Sequence, residues 1–342
     1  MLKIKRTSFN LVLIIFLVFS FACFLTYKDN IDFYVYWREY NEMIHTGRIG
    51  ITQNFELAFT FLLKISTIIG LSFRQFYCIY MMAGILLLVR FLKKMNVRSG
   101  VVFLLIIISC FTNWLIQIRS FFSIMIILNS LCFLFEKRKK EYLLGVLLAT
   151  LFHSSSIIFV FLIFWDKLET KSLIRLVLVL PIVITVSLKF VYEPVFSYLS
   201  TNSNLLVYRL STSMLGVAHI HTFSILFVIV CYLFMILLGL IYIMKPSMEF
   251  DVQIKSMIII IGISTFGFIT PQAYRLSLFC FPLNYSILLR LARELNLKQR
   301  YFVIFFTFLI SILAFAILWS PLNESGYDIW RYQLWKSSYQ MR

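Results

Sequence analysis

The sequence predicts an all-α, polytopic integral membrane protein of about 9–11 transmembrane or re-entrant helices. Three observations carry this. Of 342 residues, 61% are hydrophobic and only 14% charged, and apolar runs near the roughly 20 residues that span a bilayer recur along the chain. The 37 Phe stand against 11 Gly and 6 Pro, a composition suited to lipid-facing helices. The 32 Lys and Arg outnumber 15 Asp and Glu, but the excess sits in short connections between apolar runs, where the positive-inside bias places it. No nucleic-acid partner is therefore expected; the partner the composition implies is the lipid bilayer.

Taken in order, the apolar segments cover residues 9–26, 55–71, 76–92, 101–118, 121–135, 142–165, 173–191, 222–244, 256–269, 276–289 and 301–319. No soluble domain of useful size separates them, so 1–342 reads as a single membrane-embedded domain with outward-facing loops at 27–54 and 193–221. Lys3, Lys5 and Arg6 precede the first segment and no A-x-A-like cleavage site follows it, which predicts a retained signal anchor with a cytoplasmic N-terminus. All six cysteines fall inside apolar runs without ligand spacing and read as packing residues.

The basic clusters constrain the path. Arg90/Lys93/Lys94/Arg98, residues 137–140, Lys167/Lys171/Arg175, Lys245/Lys255 and Arg290/Arg293/Lys298/Arg300 all belong on the cytoplasmic side. Single crossings by every segment cannot put them there. The parity is restored if 55–71, with Lys64 at its middle, does not cross and if 142–165 bends back at residues 153–156.

That arrangement collects the polar residues that could do chemistry on one side. His153 is followed by three serines between apolar runs; it is either a helix-packing polar group or part of a site. Arg119 and Arg275 sit at the joins of apolar runs, where an arginine also serves simply to snorkel, and Arg209 lies in the long loop of the second half. Arginines grouped on one face suit a pyrophosphate, because guanidinium stays charged and offers a planar fork to phosphate oxygens. Asp32, Tyr36 and Tyr40, at i, i+4 and i+8, share one helix face that fits a sugar or, more plainly, an interfacial aromatic belt. Glu56 is a candidate base or an acid placed at a helix start for the dipole. No DxD, HExxH or CxxC calls for a metal, and no cofactor is expected.

The ordered set Asp32-Phe33-x-x-Tyr36, Glu56-x-x-Phe59, Ile118-Arg119-Ser120, Leu151-Phe152-His153-Ser154-Ser155 and Tyr274-Arg275 resembles the EpsG-like family of bacterial membrane proteins, Wzy-type polymerases of O-antigen, capsule and exopolysaccharide repeat units. The resemblance implies a GT-C-like, metal-independent glycosyltransferase of the bacterial inner membrane, acting on undecaprenyl-pyrophosphate-linked oligosaccharides, with a chain-length regulator and a flippase as further partners. It implies that Arg119, Arg209 and Arg275 hold the departing pyrophosphate and that His153 or Glu56 deprotonates the acceptor hydroxyl. Asp32, Tyr36, Tyr40 and Tyr274 would contact substrate. A lipid-linked oligosaccharide flippase and a membrane O-acyltransferase are the alternatives. The absence of paired halves speaks against the first, and the arginine cluster against the second.

Overall fold

A computed structural model describes residues 31–46, 56–97, 100, 102–106, 109–110, 117–187, 222–246, 251–265 and 280–318. Regular structure among them is helical, and three helices, Phe73–Lys94, Ile118–Phe135 and Leu297–Ile317, are long and apolar enough to cross a bilayer. With the further apolar helices, this is the architecture of a polytopic membrane protein. The chain divides into two compact units, residues 1–163 with 326–342, and residues 164–325.

The first unit holds α1 (Ile31–Thr46), α2 (Leu57–Ile68), α3 (Phe73–Lys94), α4 (Ile118–Phe135) and α5 (Lys139–Phe152), then most of a 3-10 helix, η1 (Ser154–Lys167). With 12 residues, α2 is about 18 Å long, too short for a hydrocarbon core of roughly 30 Å, as the charge parity requires. It reverses through a turn in which Gly70, at φ 77°, lets Leu71 N–H donate to Ser66 O and its own N–H to Thr67 O. Ser72 and Gln75 then cap α3 reciprocally, backbone to side chain in both directions. The two helices run antiparallel, with Phe59 packed on Phe76 and Tyr80 at ring-centroid distances of 6.0 and 5.6 Å.

Helices α3 and α4 run parallel. Tyr80 lies 4.5 Å from Phe122 at one level, and Lys94 Nζ lies 4.5 Å over the Phe133 ring at the other. Helix α5 returns antiparallel along α4, so that Ser123 Oγ donates to Ala149 O (3.0 Å) and Gly145 faces Ser130. The stretch 142–165 then breaks at His153, whose backbone is extended (φ −157°, ψ 113°). From there η1 runs back beside α5, with Tyr142 OH donating to Phe159 O (2.5 Å) and Lys139 Nζ to Ile163 O (3.3 Å). The bend expected at 153–156 is present, as the tip of a helical hairpin. A 3-10 run of 14 residues is unusual, and its three-residue repeat aligns Ser156, Phe159 and Leu162 in one buried row. The basic residues Arg90, Lys93, Lys94 and 137–140 thus gather at one end of the unit. Arg119 and the His153 tip sit at the other, about 27 Å away along the 18 residues of α4.

The second unit contains α6 (Thr170–Ser187), α7 (Thr222–Met244), α8 (Val252–Ser264), α9 (Cys280–Ala292) and α10 (Leu297–Leu318). Several charged groups among its described residues collect at one end. Asp251 caps α8 through Ile254 N–H (2.9 Å) and pairs with Arg290 of α9 (2.7 Å), while Lys255 Nζ donates to Leu168 O (2.7 Å) and Lys245 pairs with Glu294 (2.5 Å). At mid-depth Phe234 meets Phe281 and Tyr285 edge-on, both at 5.5 Å, and Ser311 Oγ donates to Tyr285 OH (2.8 Å).

Close helix contact in the first unit depends on two glycines. A Cβ on Gly145 would stand 1.9 Å from Ser130 Oγ, and one on Gly84 would stand 2.2 Å from the Phe121 ring. Gly145→Ala should therefore destabilise the protein by about 1–3 kcal/mol, read as thermal unfolding of the purified protein in detergent. Gly239→Ala, with nothing within 4 Å of the new methyl group, should not lower the melting temperature.

Candidate active site

The site is built around a carboxylate. Glu56 is the N-cap residue of α2, with extended backbone (φ −64°, ψ 149°), yet its side chain makes no capping bond. It turns to two other elements instead. Oε2 pairs with Arg119 Nη1, while Oε1 accepts from His153 Nδ1 (3.1 Å) and from the Ser154 N–H (3.3 Å). A helix-dipole role does not account for that geometry; the carboxylate is a bridge.

Each partner is held by its own element. Arg119 occupies the first turn of α4, where its Nε donates to Tyr36 OH (3.2 Å) and its guanidinium carbon lies 5.5 Å from the Tyr36 ring centre. Tyr36, on α1, is braced edge-on by Phe59 at 5.4 Å. His153 sits where α5 gives way to η1, and the tip is pinned by a hydrogen bond between Ser123 Oγ of α4 and Ser156 Oγ. The side chains of Glu56, Arg119 and His153 keep 16%, 20% and 14% of their exposure, so the cluster is sheltered but open at an edge.

Electrostatics assigns the proton. Burial alone would push the Glu56 carboxyl up, but the His153 hydrogen bond and the Arg119 charge outweigh it and bring the pKa from the usual 4.5 down to about 2. Glu56 is ionised at neutral pH, and a carboxylate of low pKa is a weak base. An ionised carboxylate only accepts hydrogen bonds, so the hydrogen between it and His153 is carried on Nδ1. In the neutral imidazole this leaves the Nε2 lone pair as the proton acceptor, its direction set by Glu56.

Of the residues singled out from the sequence, the fold brings Glu56, Arg119, His153 and Tyr36 together, and Asp32 lies one turn before Tyr36 on α1. Tyr36 and Tyr40, expected to grip a sugar, are 4% and 1% exposed. Tyr36 holds Arg119, whereas Tyr40 packs on Phe73 and Phe76 and donates its hydroxyl to Leu71 O. Arg209, Tyr274 and Arg275 lie outside the described residues. Sequence reasoning missed Ser123 and Tyr80. Ser123 could have been found as a small polar residue one turn from Arg119 on an apolar helix, and Tyr80 as a phenol within an otherwise apolar run.

These features define an all-helical, multi-pass membrane protein with a glutamate-bridged arginine and histidine at one end of a helix bundle. A family model, the EpsG family, matches residues 11–334, and the chain belongs to that family. Membership places it among polysaccharide polymerase-like membrane proteins. No curated protein and no solved structure gives a match.

Glu56→Gln should lower stability by about 1–3 kcal/mol at neutral pH, because Arg119 and His153 lose a charged acceptor. The carboxyl pKa is depressed on folding, so its contribution is complete above pH 4.5 and is lost as pH falls through about 2. Thermal unfolding of the two proteins should accordingly differ by a constant amount above pH 4.5 and converge below it.

Proposed function

We propose that the protein joins undecaprenyl-pyrophosphate-linked oligosaccharide repeat units by glycosyl transfer at the outer face of the bacterial inner membrane. The observation that carries this reading is the Glu56 carboxylate shared between Arg119 and His153, which sets a cation for phosphate beside a base for a hydroxyl. His153 Nε2 removes the proton of the acceptor sugar hydroxyl as its oxygen attacks the anomeric carbon of the donor unit. The new glycosidic C–O bond forms, the old bond to phosphate breaks, and its electron pair leaves with undecaprenyl pyrophosphate.

The charges move in step with the bonds. Glu56 and Arg119 cancel each other, and the proton taken up by the imidazole adds one positive charge as the leaving phosphate gains negative charge. Arg209 and Arg275 supply the further cations that a pyrophosphate needs, so the reading requires no metal. Among the large apolar side chains of α1, Trp37, 42% exposed, takes the sugar-stacking role expected of Tyr36 and Tyr40, with Asp32 and Tyr274 as further substrate contacts. The basic ends of the helices face the cytoplasm with the N-terminus, and the His153 tip faces outward. A flippase that delivers the units and a regulator that limits chain length are the expected partners.

Arg119→Ala, Arg275→Ala and His153→Ala, at wild-type abundance, should each cut polymer by about 10²–10³-fold, the scale of a lost charge-stabilising or acid–base group. The lipid-linked pool checks the reading. Single repeat units should accumulate on the outer side. Units trapped inside would indicate export, full-length polymer lacking acyl groups would indicate acyl transfer, and normal polymer in all three variants would remove the site.

A further inference from the structure

Tyr80 stands at the middle of the aromatic cage behind the site. Its ring is enclosed by Phe76 of its own helix and by Phe59, Phe122 and Phe152 from the helices that also carry Glu56, Arg119 and the His153 tip, with centroid distances of 5.6 Å to Phe76 and 5.6, 4.5 and 6.4 Å to the other three. All four neighbours are phenylalanines. Tyr80 alone of the five carries a hydroxyl, and that oxygen is buried without a hydrogen-bond partner. It lies within electrostatic reach of Tyr36, Arg119 and Glu56. An unpaired buried hydroxyl costs stability that a phenylalanine of the same shape would avoid, so the fold in this state gains nothing from it.

The hydroxyl acquires a use once an anion is bound. On the reading proposed above, Arg119 turns toward a pyrophosphate, and Glu56, ionised and sheltered, loses its strongest partner. A carboxylate stranded in that surrounding would hold Arg119 back. We propose that the Tyr80 hydroxyl is the reserve donor that hydrogen-bonds Glu56 when Arg119 leaves it for the anionic leaving group. The Glu56–Arg119 pair is then a switch with two settings. Tyr80 is a positioning residue that acts through Glu56, touching neither substrate nor the reacting atoms.

Tyr80→Phe tests this, because it removes one oxygen and keeps the cage. In the purified full-length protein without lipid, the variant should melt at or above the wild-type temperature. Its affinity for undecaprenyl pyrophosphate, read as protection against thermal unfolding, should fall about tenfold. In a Glu56→Gln background, where no carboxylate needs a substitute donor, the same change should cost nothing more. Wild-type affinity in Tyr80→Phe alongside lost affinity in Arg119→Ala would overturn the reserve-donor role and leave the proposed function standing. Wild-type affinity in both would overturn the function reading itself. A melting temperature below wild type, or an undiminished loss in the Glu56→Gln background, would return Tyr80 to a packing role.

Discussion

The arrangement of the first unit depends on one carboxylate at the start of a helix that is too short to cross a membrane. Glu56 links α2 to the first turn of α4 and to the break between α5 and η1. Such a group is costly to shelter alone, and a satisfied network is what makes it affordable. Its requirements explain otherwise odd features: an N-cap residue that does not cap, an arginine at the join of two apolar runs, and a histidine held in extended backbone. The aromatic cage of Phe59, Phe76, Phe122 and Phe152 walls the cluster on the bundle side, which strengthens each polar contact within it.

Within this network the three ionisable groups have separate tasks. The guanidinium contributes a permanent positive charge with a defined plane, because Tyr36 and Glu56 grip different nitrogens. The imidazole contributes a lone pair with a defined direction. The carboxylate holds both, through one oxygen each, and its pKa is depressed by them. This division resembles the orienting acid, base and charge stabiliser found in many transferases and hydrolases, assembled here from three helix ends. Rigid helix ends are favourable places for such work, since the packing behind them limits the drift of the reacting groups.

Much of this was legible in the sequence, for reasons that can be named. Arg119 and His153 stood out because ionisable groups beside apolar runs are expensive. The break at 153–156 followed from the placement of the basic loops alone, since 142–165 separates two clusters that belong on one side. The spacing of Asp32, Tyr36 and Tyr40 correctly indicated a helix, but a shared face does not reveal what covers it, and Tyr40 is buried against Phe73 and Phe76. The long 3-10 winding of η1 was hidden because every position from Ile157 to Trp165 is apolar, which masks a three-residue period. Tyr80 could be seen as a phenol in an apolar run, but not that its hydroxyl is left unpaired. The bridging role of Glu56 could not be read at all, because pairing between distant positions is a property of the fold.

Those distant positions bear on how the protein is made. Glu56 precedes its arginine by 63 residues and its histidine by 97, and Tyr36 precedes Arg119 by 83. At synthesis rates of roughly 5–20 residues per second, about 5–20 s pass between the appearance of the carboxylate and that of the imidazole. During that interval α2 and α3 are already available for insertion, with a charge that has no counterpart. Arg119 is synthesised next and His153 last. The order of the motifs along the chain is thus also the order in which the members of the network leave the ribosome, with the carboxylate that both later groups bind made first.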